Sequence, residues 1–262
     1  MRHMVTRLRL ITSLFILIHF SMDAQTISTE KGLTRIDFAL SQGNIKVYLP
    51  DDIRPGDMVS GKVSVEPEGS TEKEKIRNKE SLEKYTLHLL DAVSGKEELS
   101  RLFRFSTKSS NPSIALSLNN KIISTAFLPM ANMTGSTSSL SQPSHILTAA
   151  PARITGLFDG NASNTQCSID GKEMEILAES PRQCVVQFPA TTSGPHSVTV
   201  TENGKTTEKN VYAVNMDVKA GKLNLQKGEK TYVDVAISGL QNLPSNATLT
   251  VVNITTGVVT MT

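Results

Sequence analysis

The chain has no tryptophan, four tyrosines and two cysteines among 262 residues. Each scarcity narrows the chemistry. Sugar sites favour aromatic platforms, and four scattered tyrosines (Tyr48, Tyr85, Tyr212, Tyr232) offer little of one. A zinc site wants three or four ligands, usually at short internal spacings. The histidines past residue 24, His88, His145 and His196, fall in three separate segments without such spacing. There is no G-x-S-x-G nucleophile elbow and no glycine-rich phosphate loop. No catalytic residue, no cofactor and no metal ligand is therefore expected.

Long apolar runs are scarce as well. Leu10–Phe20 is one, preceded by Arg2, Arg7 and Arg9 and followed by the cleavage-like Ser21–Ala24. Residues 1–24 thus read as a signal peptide that leaves Gln25 first. The run is well short of the roughly 20 residues a spanning helix needs, and no later segment approaches that length. No cysteine follows it to take a lipid. Excess charge of one sign is also missing once the leader is set aside: 27 basic residues fall to 24, and 25 acidic ones to 24. With zero net charge and no Lys/Arg cluster, the chain has no electrostatic footprint for nucleic acid. The expected location is secreted, extracellular or periplasmic, with no transmembrane anchor in the mature chain.

What is present is period-two alternation. Gln25–Lys31 is polar and reads as a frayed start. Beyond it Ile36 and Phe38, then Ile45, Val47 and Leu49, then Val59, Gly61, Val63 and Val65 each share a strand face. Asp51 and Asp52 sit in a turn-rich stretch between strands, where adjacent carboxylates diverge into solvent. Residues 69–83 carry dense Glu/Lys charge at a spacing that could support a helix, and read as a charged loop with a helical turn. These strands, with those after residue 83, make residues 32–128 a first β-sandwich. Residues 129–150, rich in Ser and Thr and devoid of charge, read as a linker. Residues 151–214 form a second sandwich, with hairpin signals at Asp170-Gly171 and Asn203-Gly204. Residues 215–262 begin a third domain, expected to be incomplete because its strands are too few to close a sandwich. The fold class is all-β: tandem immunoglobulin-like β-sandwich domains after a signal peptide.

Residues 151–214 resemble an IPT/TIG-type immunoglobulin-like domain. The resemblance is carried by Ile169-Asp170-Gly171 after a short strand, by the run Ile176–Cys184 (ILAESPRQC), and by Pro189 and Gly194. The strand His196–Val200 and the turn Glu202-Asn203-Gly204 complete it. The ILAESPRQC run and Gly228–Thr231 (GEKT) are also similar to a segment of secreted bacterial proteins. The resemblance implies a binding module or spacer of a cell-surface protein, although fold alone does not deliver function.

Cys167 and Cys184 form an even pair sent to an oxidising compartment, which predicts a structural disulfide, expected between neighbouring strands. Asp159–Asn164 places oxygen side chains at alternate positions, as a calcium loop does, but lacks the distal acidic ligand of an EF-hand. Turn formation explains those residues without a metal. Sequons occur at Asn132, Asn161, Asn246 and Asn253. The chain therefore reads first as a non-catalytic interaction or adhesion protein whose partner is a protein or glycan of the cell envelope. A carbohydrate-binding protein is the alternative, and accessory domains of a larger secreted enzyme are a third reading.

Overall fold

A computed structural model describes residues 25–90, 96–97, 102–106, 112–131, 140–141, 143–221 and 231–239. The leader, three of the sequons and the chain after residue 239 lie outside the described residues.

β1 (Gln25–Glu30), β2 (Leu33–Leu40), β3 (Gly43–Pro50) and β4 (Met58–Pro67) form an antiparallel meander. Alternation decides which face is buried: Ile36, Phe38, Ile45, Val47 and Leu49 point inwards, between outward residues such as Arg35 and Lys46. The polar segment 25–30, expected to fray, is a strand paired residue for residue with β2. The Gln25 amide also donates to Thr125 O at 2.9 Å. Its side chains are all exposed, so polarity there marks an edge strand rather than loose chain.

The charged stretch that reads as a loop is helix α1 (Glu72–Leu82). Thr71 caps it, accepting from Glu74 N at 3.2 Å. The Glu74 carboxylate reaches back to accept from Ser70 N and Oγ at 3.0 and 2.8 Å. This reciprocal arrangement is a capping box displaced by one residue. Glu72 and Glu74 also meet the positive end of the helix dipole. Only Leu82 is buried, which is why apolar periodicity gave no sign of the helix.

β5 (Tyr85–Leu90), β6 (Lys96–Glu97), β8 (Ser113–Leu118) and β9 (Lys121–Phe127) form a facing sheet, and β7 (Leu102–Ser106) joins the first sheet beside β4. Between the two sheets lies one core that includes Phe38, Leu87, Phe105, Ile114 and Leu116.

The second sandwich contains β10 (His145–Leu147), β11 (Pro151–Thr155), β12 (Thr165–Ile169), β13 (Lys172–Glu173) and β14 (Glu175–Ser180). It is completed by β15 (Gln183–Gln187), β16 (Gly194–Glu202) and β17 (Lys205–Ala220), and β18 (Val233–Ser238) pairs with the far end of β17. The two predicted hairpin turns are present. Asp170-Gly171 and Asn203-Gly204 have φ of 48° and 78°, and 49° and 77°, the positive values that type I′ turns require. The expected linker is partly sandwich, because β10 pairs with Tyr212–Val214 of β17 and Ile146 enters the core. A three-residue strand with one buried position is too short for alternation to reveal this.

The sandwiches are not separate beads. One eight-stranded sheet runs β1-β2-β3-β4-β14-β15-β11 through both, with β7 beside β4 as its eighth strand. Lys62 of β4 pairs with Tyr48 of β3 on one edge and Leu102 of β7 on the other. The β3–β4 pairing stops at that Tyr48–Lys62 pair, although β3 runs on to Pro50 against β2, and this leaves the next edge positions of β4 open. Ser60 and Gly61, still held by β7, pair there with Glu179 and Ala178 of β14. Gly61 fits this crossing because a Cβ would stand 2.7 Å from Tyr48 O and 2.8 Å from Phe103.

Candidate functional site

The junction between the sandwiches gathers most of the polar chemistry. Arg182, in the turn between β14 and β15, donates from Nε to Asp52 Oδ2 at 3.0 Å and from Nη2 to Asp52 O at 2.7 Å. It also grips Asp57 through Nη1–Oδ1 at 3.2 Å and Nη2–Oδ2. Its side chain is 14% exposed. Burial lowers the Arg182 pKa, but its bonds to Asp57 and Asp52 outweigh this and hold it above the ordinary arginine value. Gln183 Nε2 donates to Gly32 O, Asp51 Oδ1 and Asp52 Oδ1 at 2.9, 2.9 and 3.1 Å. Asp51 and Asp52 therefore converge on the second sandwich and are half-buried, contrary to the solvent-facing expectation. Leu33, Leu177, Ala178 and Val185 pack beneath them as a small separate core.

Beside this clamp, the loop from Phe158 to Asn164 folds onto β4. Ser60 Oγ donates to Gly160 O at 2.8 Å and accepts from Ala162 N at 3.1 Å. Gly160 has φ +72°, and a Cβ there would meet Met58 O at 1.9 Å. The loop holds Asp159 in place: its carboxylate accepts from Asn161 N at 2.7 Å and Asn164 Nδ2 at 2.6 Å, and its own N–H donates to Glu202 Oε1 at 3.0 Å.

Asp159 of this loop, Glu179 of β14 and Glu202 of β16 then converge, with one carboxylate oxygen from each lying within 4.8 Å of the other two. Glu179 is wholly buried, and neither of its oxygens has a hydrogen-bond partner. The neighbouring Thr165 hydroxyl donates instead to Glu202 Oε2. Burial is the main reason the Glu179 pKa is pushed up to about 8. Proximity of Thr165 and the Gly160 amide pulls it down, and the like charges of Glu202 and Asp159 push it further up. Of these three residues only Asp159 stood out in the sequence. The missed signal is a glutamate directly after the apolar run Ile176-Leu177-Ala178 of β14.

Cys167 and Cys184 meet in the core of the second sandwich as buried free thiols. That contact and burial raise the Cys184 pKa. Their strands, β12 and β15, belong to opposite sheets, so the pair spans the sandwich rather than joining neighbouring strands. Both residues occupy inward positions of their strands, and local spacing cannot report which sheet each strand joins. The histidines stay apart. His88 Nε2 lies 2.6 Å from Ser117 Oγ, His145 stacks on Tyr212 at 5.7 Å, and His196 Nδ1 lies 2.5 Å from Asp170 Oδ2.

A cleft of about 460 Å³ opens where the Lys31 turn of the first sandwich meets the second. Pro143, His145, Pro151 and Arg153 contribute to its walls. It carries two cationic side chains among polar and apolar residues in equal number. Among the described residues, no helix is long and apolar enough to cross a membrane.

Residues 137–215 match the IPT/TIG domain family, so the second sandwich is an IPT/TIG-type immunoglobulin-like domain that begins ahead of β10. No curated protein matches the chain. Among solved structures, the chain is similar to the gamma-CGTase of alkalophilic Bacillus clarkii at 10% identity and a TM-score of 0.27, over 76% of this chain and 27% of that one. It is also similar to SGBP-B of the Bacteroides ovatus mixed-linkage glucan utilization locus, solved with a mixed-linkage heptasaccharide. There the identity is 11% and the TM-score 0.27, over 87% of this chain and 74% of that one. A third likeness is to the ICAM-5 D1–D4 ectodomain fragment, at 12% identity and a TM-score of 0.21, over 78% and 67%. No assignment of activity or ligand follows from TM-scores of this size.

Proposed function

We propose that the chain is an exported, non-catalytic interaction protein of the cell envelope or extracellular space, in which two immunoglobulin-like modules act as one stiff recognition unit. The observation that carries this reading is the cleft built jointly from Lys31 of the first module and Pro143, His145, Pro151 and Arg153 of the second. A cleft shared by two domains keeps its shape only if their relative position is held. Here the shared sheet and the Arg182 clamp support such a hold. Its two cations favour a protein or glycan that presents acidic groups.

The test is capture from native envelope extract on immobilised protein, with a Lys31→Glu/Arg153→Glu double variant alongside and a glycan array as a second arm. A discrete ligand held by the wild type and weakened at least tenfold by the double variant is the expected result. A defined acidic polysaccharide on the array would select a glycan over a protein partner. Equal retention by both proteins would remove the cleft from the reading.

A further inference from the structure

We propose that Asp159, Glu179 and Glu202 bind one hard divalent cation, calcium by class, at the end of the second sandwich that faces the first. The three residues come from three elements: a loop, β14 of the shared sheet, and the end of β16 in the opposite sheet. One oxygen from each lies within 4.8 Å of the other two. One ion with calcium–oxygen bonds of about 2.3–2.6 Å has ligand oxygens no more than about 5 Å apart.

Three neighbouring carboxylates alone would signify little. The second observation is Glu179 itself, fully buried, turned towards the other two, with both oxygens lacking a hydrogen-bond partner. A buried carboxylate needs either bonds or an opposite charge. Its close charged neighbours are Glu202 and Asp159, both of its own sign. The nearby Arg182 is already committed to Asp52 and Asp57. A cation at the cluster would neutralise all three carboxylates and satisfy the Glu179 oxygens at once.

The donor set is oxygen only, which favours calcium, magnesium or manganese over zinc or copper. Three carboxylates supply at most six oxygens. Calcium's tolerance of 6–8 ligands in irregular geometry suits a set drawn from a loop and two strands better than magnesium's strict octahedron. The distal acidic ligands that the Asp159–Asn164 loop lacks locally are supplied by the long-range partners Glu179 and Glu202. An ion there would also fasten the loop that holds Ser60 of the first module, so binding would raise the stability of the junction. The inference does not depend on what the protein recognises, because it is tested without a partner.

The experiment is titration of the purified protein, stripped with EGTA, with calcium chloride and separately with magnesium chloride, followed by isothermal and scanning calorimetry. One calcium site is expected, with a Kd of about 10⁻⁵–10⁻³ M. At a calcium concentration near ten times Kd the melting temperature should rise by roughly 3–6 °C, and magnesium should do less. Glu179→Gln and Glu202→Gln should each weaken calcium binding at least tenfold. Glu175→Gln, on the same strand but paired with Lys62, should bind as the wild type does. A far-UV spectrum and a cooperative melt in EGTA establish that each variant folds. Asp159→Asn, an exposed loop change, gives the same reading if the Glu179 variant does not fold. Absence of any heat or melting shift up to ~10 mM calcium, beyond the range of weak extracellular sites, would overturn the proposal. So would undiminished binding by folded Glu179→Gln.

Discussion

Arg182 of the second sandwich holds Asp57 of the first through both guanidinium Nη atoms, while its Nε and a shared Nη2 hold Asp52. A two-pronged arginine contact with little exposed side chain is the strong form of ion pair. Removing one partner leaves carboxylates facing a desolvated gap. Arg182→Ala is expected to cost about 2–4 kcal/mol. It should also split one calorimetric unfolding transition of the two sandwiches into two. Arg182→Lys, which keeps the charge but loses the fork, should recover only part of the loss. A single transition at the wild-type temperature in Arg182→Ala would mean that the clamp does not couple the modules.

The strands themselves were legible. Ile36, Phe38, Ile45 and Val47 announce their shared face by alternation, and Asp170-Gly171 announces a hairpin, because both signals are local. What joins the sandwiches was not legible. Gly61 and Ala178 pair across 117 positions, and no local pattern shows that the β3–β4 pairing stops at Tyr48–Lys62 and frees an edge of β4. Asp51 and Asp52 look like turn residues and are turn residues; their long-range partners, Gln183 and Arg182, are what half-bury them. The helix was readable in principle from Thr71-x-x-Glu74, whose capping chemistry does not depend on apolar periodicity. The acidic cluster was one third legible, since Asp159 sits in a recognisable loop while Glu179 and Glu202 arrive through sheet topology.

The seat of the Phe158–Asn164 loop on β4 gives a backbone test. Gly160 combines φ +72° with a gap too small for a Cβ, 1.9 Å from Met58 O. An L side chain there must strain the backbone and push the two modules apart. Gly160→Ala is expected to destabilise by about 2–3 kcal/mol, measured by urea unfolding. Gly171→Ala, in an exposed hairpin turn where a Cβ would meet nothing within 4 Å, should cost less, about 1 kcal/mol from the positive φ alone.

Cys167 and Cys184 face each other between opposite sheets, and in exported protein they are proposed to be joined. The crosslink would close a loop of about 15 residues and stabilise by ~3 kcal/mol. The intact mass of protein recovered from an oxidising compartment should fall by two hydrogens relative to the reduced chain. Dithiothreitol should lower the unfolding midpoint of the wild type but not of a Cys167→Ala/Cys184→Ala double variant. Because Cys184 lies on β15, next to the strand that pairs with β4, the loss should reach the junction as well as the second core. Alkylation of both sulfurs in unfolded, unreduced protein would reject the crosslink.

His196 supplies the pH dependence. Burial opposes its charge, but Asp170 at Nδ1, 2.5 Å away, and Thr192 O at Nε2, 2.8 Å away, outweigh that and raise its pKa above the ordinary 6.5. The direction follows from the ring: both nitrogens face acceptors, and only the imidazolium can donate from both. Asp170 responds in the opposite sense. Its bond to His196, then that from Ser197 N, holds its carboxyl below the usual value. A raised histidine pKa stabilises the fold fully below the unfolded value and loses that contribution as pH climbs through the folded one. A lowered carboxyl pKa stabilises above its unfolded value and loses that contribution as pH falls through the folded one. The pair therefore contributes most between the unfolded values of the carboxyl and the imidazole, about pH 4 to 6.5, and fades above that window as His196 deprotonates. NMR titration should place the His196 midpoint above 6.5 in the wild type and lower it in Asp170→Asn. The unfolding midpoint of that variant should fall relative to wild type at pH 5.5 and approach it at pH 9. A His196 midpoint unchanged by Asp170→Asn would show that the bond does not set its charge.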